Sequence, residues 1–192
     1  LQGPYWPAIG MMMKRFKKDI ASGTIKNSED VLSAIQSGDS KLFAVSKFIL
    51  SRKQQGRPAI VFCQFRFEME LLASMLSELN VLLFHGGTKM NERREILTQT
   101  PDALIIQIQT GCEGLNLQQF RDVIFVSPHW NPAVHDQAIA RAHRIGQTGD
   151  VQVYSFLMES CFESLAVSID SYIVGVQDKK REIAETTLSC CR

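Results

Sequence analysis

The sequence predicts an α/β fold, a doubly wound parallel sheet with helices on both faces. From about Ser40 onward, short apolar runs alternate with stretches of helical period. The runs are almost continuously apolar, as strands covered on both faces are, and the segments between them have room for crossover helices. An apolar content of 45% in 192 residues, with a formal charge of +1, supports one continuous core and argues against disorder.

The elements follow in order. Residues 1–39 are expected to be a linker or N-terminal extension with short helices, because Pro4, Pro7, Gly10, Gly23 and Gly38 punctuate them. Their basic cluster, Lys14, Arg15, Lys17 and Lys18, fits a solvated face or a nucleic-acid contact. Residues 40–165 form the main domain. Strands are predicted at Ala59–Cys63, Val81–Phe84, Ala103–Ile106, Asp122–Val126 and Val151–Phe156. Between the first two, Met69, Leu72, Ala73, Leu76 and Leu79 share one face of a helix over Phe67–Leu79. Asn91–Leu97 and Pro132–Ile145 fill the next helical positions. For the latter, Asn131 suits the N-cap, Pro132 the first turn and Gly146 the stop. Residues 166–192 read as a C-terminal helical extension within a long helical ending from Phe162. The chain does not begin with Met, which is expected of a piece of a longer protein.

Self-contained catalysis is not encoded. No G-x-x-x-x-G-K-[ST], G-x-S-x-G or H-E-x-x-H pattern occurs. Cys63, Cys112, Cys161, Cys190 and Cys191 have no metal-ligand spacing and read as reduced thiols, so no metal site is expected. No apolar run approaches the roughly 20 residues of a spanning helix.

Three segments at predicted strand ends, where open α/β sheets bind ligands, carry phosphate-friendly chemistry. Gly111 and Gly114, after the third strand, allow close approach of a phosphate, though a ligand-free tight turn has the same form. Gln137, Arg141 and Arg144 fall at i, i+4 and i+7 and are expected on one helix face. Two guanidiniums so placed either share an anion or are solvated separately. Gly86, Gly87 and Thr88 with Arg93 form a turn, hydroxyl and cation that suit a nucleic-acid phosphate or a plain capped turn.

Taken together, Ile60–Phe65, the Gly86-Gly87-Thr88 turn with Arg93, Gly111-x-x-Gly114-Leu-Asn-Leu, Trp130-Asn131-Pro132 and Gln137-Ala-x-x-Arg141-Ala-His143-Arg144-Ile-Gly-Gln147 closely resemble the second motor lobe of SNF2-family ATPases. The resemblance runs from about Ser40 to about Leu165. It implies a RecA-like helicase C-terminal lobe of a superfamily 2, ATP-dependent translocase or remodeller of double-stranded DNA. Arg141 and Arg144 would be arginine fingers on the ATP phosphates, with Gln137 beside them. Gly114 and Asn116 would line the nucleotide side, and Gln64, Gly87, Thr88, Arg93 and Thr110 would face the DNA backbone. ATP and Mg²⁺ would be held mainly by an N-terminal RecA-like lobe, so the isolated chain is expected to be inactive. The implied partners are that lobe, the duplex backbone and chromatin or other DNA-bound proteins, not a membrane. The implied location is the nucleus, unless the chain is viral or prokaryotic.

His143–Gly149 also approaches the HRIGRTGR motif of DEAD-box RNA helicases. Two positions where that motif has arginine carry Gln147 and Asp150 here, which excludes the RNA reading. Two departures from the SNF2 pattern stand out: Cys112-Glu113 where small residues are usual, and an altered segment over Glu159–Leu165. A second functional class, a lobe kept only as a docking surface, would be marked by a degraded phosphate loop upstream.

Overall fold

In the computed structural model the described residues are 41–111, 115–158 and 168–190. The expected linker over 1–39, Gly114, and the departures at Cys112-Glu113 and Glu159–Leu165 lie outside them. The described elements are α1 (Lys41–Gln54), β1 (Ala59–Cys63), α2 (Arg66–Met75), β2 (Val81–Phe84), α3 (Met90–Thr98), β3 (Ala103–Gln107), α4 (Ile108–Gly111), β4 (Asp122–Phe125), α5 (Pro132–Ala142), β5 (Gln152–Ser155) and α6 (Ile169–Cys190).

The five strands form one sheet in the order β2-β3-β1-β4-β5, with every described pairing parallel. Val61 of the central strand stands opposite Ile105 on one side and Ile124 on the other. Side chains alternate across the sheet, so β1 feeds two cores. Ala59, Val61 and Cys63 pack with Val45 and Ile49 of α1 and Met69 and Leu72 of α2. Ile60 and Phe62 pack on the other face with Phe120, Phe125, and Ala138 and Ala142 of α5. Burial of both faces explains why β1 and β3 are almost wholly apolar, whereas β5 at the sheet edge is largely exposed and carries Gln152 and Ser155. Each fully buried Leu or Ile contributes about 1.5–3 kcal/mol relative to exposure. Cys63 belongs to the central strand and is fully buried, and burial, together with the charge of Glu68, pushes its thiol pKa well above the usual range.

Two boundaries differ from the predicted ones. The helix expected to end at Leu79 ends at Met75, and short-range bonds from Leu76 N to Ala73 O and Leu79 N to Leu76 O tighten the chain there. Leu76 and Leu79 still pack on the core, so the periodic face survives the end of the helix. The helix expected to reach Ile145 stops at Ala142, with His143 as its C-cap.

One end of the sheet is locked by charge. Asp122, the first residue of β4, is fully buried and receives Arg52 Nε at 2.6 Å and Arg57 Nε at 3.1 Å. Arg52 also bonds Tyr154 Oη at 2.7 Å, which ties α1 to both β4 and β5. Burial opposes ionisation of Asp122, but the hydrogen bonds and charges of the two arginines more than offset it, holding its pKa below the ordinary carboxylate range.

Helix α6 closes over the β4–α5 corner. Its Asp170 accepts Lys41 Nζ at 2.7 Å and Met158 N at 2.8 Å. Gln177 donates to the His129 carbonyl, Lys180 to the Trp130 carbonyl at 2.9 Å, and Arg181 pairs with Asp136 at 3.0 Å. Trp130 meets Tyr172 edge to face, with centroids 5.9 Å apart.

Candidate functional site

Helix α5 begins where the sequence places it. Asn131 Oδ1 accepts the Ala133 amide at 3.1 Å, and Pro132 occupies the first turn, where a missing N–H costs nothing. Replacing Asn131 with Ala should cost about 1 kcal/mol of stability. This should read as a lower urea midpoint with an unchanged slope. His135, one turn in, stacks on Phe125 with centroids 3.7 Å apart. Burial lowers its pKa; Asp136 opposes the shift, while Arg181 and His129 add to it.

The three residues expected on one face do not share it. Gln137 and Arg141 project from α5, the former exposed and the latter half-buried in the last turn. Arg144 lies beyond the helix, in a turn closed by the Gln147 N–H to the Arg144 carbonyl at 3.0 Å. The cause is a reach-back contact: Gln147 Nε2 donates to the Ala142 carbonyl at 3.3 Å, which caps the helix early. Gly146 then takes φ +101°, a conformation that favours glycine. Ile145, read from its spacing as a packing residue, is 96% exposed.

The early stop still brings the arginines together. Arg141 and Arg144 line one open cleft of about 910 Å³ with His143, Ile145, Gln147 and Asp150. Gln137 is not in its lining. Among the described residues Arg144 makes no ion pair, and Asp136 is engaged by Arg181 on another side. Asn116 is exposed beside this corner, since the next residue, Leu117, donates its amide to the Arg141 carbonyl at 3.2 Å. Among the described residues Asp150 is the one acidic group in the cleft lining, and the sequence gives no signal that it would share the space.

The second group gathers at the C-terminal ends of β1, β2 and β3. The turn after β2 is internally bonded: His85 N donates to Thr88 Oγ1 at 3.0 Å, Thr88 N to the His85 carbonyl at 3.0 Å, and Gly87 N to His85 Nδ1 at 3.0 Å. Arg93 braces it, with Nε donating to the Thr88 carbonyl at 2.9 Å and the guanidinium lying 5.1 Å from the Phe84 ring centroid. Thr88 and Thr110 are only 8% and 7% exposed, whereas Gly87 is exposed and Gln64 half-buried. Thr110 Oγ1 approaches the Gly86 Cα hydrogens closely enough that an added Cβ would stand 3.8 Å from it. Gln64, Gly87 and Thr110 thus share one end of the sheet, and Thr88 and Arg93 build the turn between them. Arg66 is a cation the sequence reading passed over. It stands at the start of α2, pairs with Glu70 at 2.9 Å, and its guanidinium reaches the vicinity of Gly87.

Among the described residues no group of three or more His, Cys, Asp or Glu gathers to hold an ion. The cationic corner fits phosphate oxygens instead.

Comparisons with known proteins bear on the family and the fold. The helicase conserved C-terminal domain matches residues 40–146. The DNA repair protein RAD5 of Debaryomyces hansenii is 33% identical over 150 residues, which is 71% of this chain and 12% of that protein. The chromatin-remodeling ATPase INO80 of Saccharomyces cerevisiae is 27% identical over 165 residues, 82% of this chain and 11% of that one. The chain therefore spans a small part of these curated relatives. Among solved structures, the C-terminal part of the Fun30 ATPase domain superposes with a TM-score of 0.57 at 20% identity, covering 93% of this chain and 62% of that one. With the all-parallel sheet and the order of its motifs, these matches place the chain in the helicase conserved C-terminal domain family, as the C-terminal RecA-like lobe of an SNF2-family ATPase.

Proposed function

We propose that this chain is the second motor lobe of an ATP-driven translocase on double-stranded DNA, and that Arg141 and Arg144 are its arginine fingers. The observation that carries the reading is that Arg141 and Arg144 line one cleft, beside the Asn116 segment, despite standing on different local structures. Phosphoryl transfer depends mainly on positioning and on charge stabilisation of the transferred group. ATP supplies the phosphoryl group and the driving free energy. Arg141 and Arg144 would bond its phosphate oxygens as planar forks when a nucleotide-binding first lobe closes on the cleft, with Asn116 alongside. Mg²⁺ would be held mainly by that first lobe, as the resemblance to SNF2-family ATPases implies.

The ends of β1, β2 and β3 would track the duplex backbone. Gln64 and Gly87 offer accessible polar groups there, while Thr88, Thr110 and Arg93 shape the surface. Backbone contacts carry little sequence information, so movement would be nearly sequence-blind. Closure of the lobes around ATP, alternating with opening after hydrolysis, would advance one grip relative to the other. The relatives are named for DNA repair and chromatin remodelling, which supports chromatin or another protein–DNA complex as the target and the nucleus as the location.

The test is ATP hydrolysis with and without duplex DNA, on this chain alone and on a chain extended upstream to include the first lobe. The lobe alone should be silent. The two-lobe protein should be stimulated by duplex DNA of any sequence, and the stimulation should fall steeply as salt rises. Turnover by the lobe alone, or a folded two-lobe protein indifferent to DNA, would overturn the reading.

A further inference from the structure

Arg144 poses a mechanical problem. It stands outside α5, in a turn where its neighbour Ile145 touches almost nothing, so the helix cannot aim it. The direction of its side chain must come from whatever fixes the backbone over 142–149.

That fixture is one side chain. Gln147 is half-buried at the edge of the cleft, and its amide nitrogen is engaged by backbone carbonyls. Nε2 donates to the carbonyls of Gln118 at 2.9 Å, Phe120 at 3.0 Å and Ala142 at 3.3 Å. With two hydrogens for three acceptors, at least one bond is shared, so the donor capacity of the group is fully used. Its Oε1 accepts the amides of Thr148 at 3.0 Å and Gly149 at 3.3 Å. The side chain thus clamps the end of α5 and the start of the next segment on either side of Arg144. It fixes both to residues 118 and 120, just past Asn116. Gln118 returns the contact by donating to the Ile145 carbonyl.

We infer that Gln147 is a positioning residue for ATP hydrolysis, whose amide locks the Arg144 turn to the Asn116 segment so that the two move as one body. The inference rests on the reading of Arg144 as a finger. It also gives a physical meaning to the absence of arginine at this position: an amide can serve carbonyls and N–H groups at once, and a guanidinium, having no acceptor, cannot.

In the two-lobe protein, Gln147→Ala should lower the kcat of DNA-stimulated hydrolysis by about 10²-fold, the scale of an ångström-sized misplacement, and leave the KM for ATP within about twofold, since kcat alone reports loss of transition-state contacts. Gln147→Glu, which keeps the acceptor and loses the donors, should do the same. In an Arg144→Ala background, measured by single turnover, either substitution should lower the rate by less than about twofold, because residues acting as a unit are not additive. In the 192-residue chain, hydrogen exchange should quicken at Thr148 and Gly149 and stay unchanged in β1. Wild-type turnover in Arg144→Ala would overturn the finger reading. A normal Arg144→Ala loss that multiplies with that of Gln147 would overturn the positioning role alone, as would β1 exchange that rises together with that of the turn.

Discussion

Arg141→Ala in a two-lobe protein should abolish DNA-stimulated ATP turnover while leaving duplex binding nearly intact. Removal of an arginine finger costs about 10³- to 10⁵-fold in rate, which is about 4–7 kcal/mol of barrier. The structure makes the residue suitable for such a separation. Arg141 lines the cleft from the last turn of α5, whereas Gln64, Gly87 and Thr110 stand at the ends of β1 to β3. Arg141→Lys should be almost as damaging, because a point charge cannot reproduce a planar fork on phosphate oxygens. Steady-state hydrolysis and a fluorescence-anisotropy titration of duplex DNA, on the same preparation, check both halves. Wild-type turnover in either variant would remove Arg141 from the chemistry.

Asp122→Ala should be strongly destabilising, by up to about 3 kcal/mol, because hydrogen bonds from charged groups to a buried carboxylate are lost while the two arginines keep some contact with water. Two guanidiniums converge on a carboxylate with no exposed surface, and its loss leaves both without their shared counter-ion. The same carboxylate sets an acid limit. Because its folded pKa is depressed, the unfolded chain binds the proton more readily, and stability rises with pH wherever that difference operates. Its contribution is full above the unfolded value of about 3.9 and is lost as pH falls toward the folded one. His135 acts in the same direction at milder pH. Its folded pKa is also lowered, so stability begins to fall once pH drops below the unfolded value of about 6.5. Urea midpoints taken across this range should therefore decline in two stages. In Asp122→Asn the lower stage should shrink to what Asp102 carries, since Lys53 and the Asn80 amide hold its pKa down too, and an unaltered lower stage would show that Asp122 does not contribute to it.

The strands were legible in the sequence because the physics that makes them is local in pattern. A strand buried on both faces must be apolar at every position, and Ala59–Cys63 and Asp122–Phe125 are so apart from the charged Asp122. Asp122 reads as a strand-end polar residue, and nothing nearby in sequence announces that Arg52 and Arg57 will meet it. Helix α1 was legible only as part of a general alternation. Phe43, Phe48 and Leu50 put apolar groups outside the Val45–Ile49 stripe, which blurs its helical period. The start of α5 could be read from Asn131 and Pro132, since capping is a contact between near neighbours. Its end could not. The apolar spacing of Ala138, Ala142 and Ile145 continues a helical face, and the group that interrupts it reaches back from Gln147 to Ala142 while also gripping Gln118 and Phe120. Arg141 and Arg144 do line one cleft, but a turn delivers Arg144 to it, not the helix face. Arg66 left no signal because its proximity to Gly87 depends on β1 and β2 lying on either side of β3.

The strand order β2-β3-β1-β4-β5 also governs how this lobe comes into being on the ribosome. Among the described strands the central one is the first to be synthesised, yet both of its neighbours are later ones, and the Arg52–Asp122 clamp joins residues 70 positions apart. Until β4 has left the exit tunnel, β1 has an unpaired edge along its whole apolar length. Such non-local pairing slows folding and leaves the nascent chain open to aggregation. The lobe is thus a late-closing unit, one whose earliest strand waits for nearly its last.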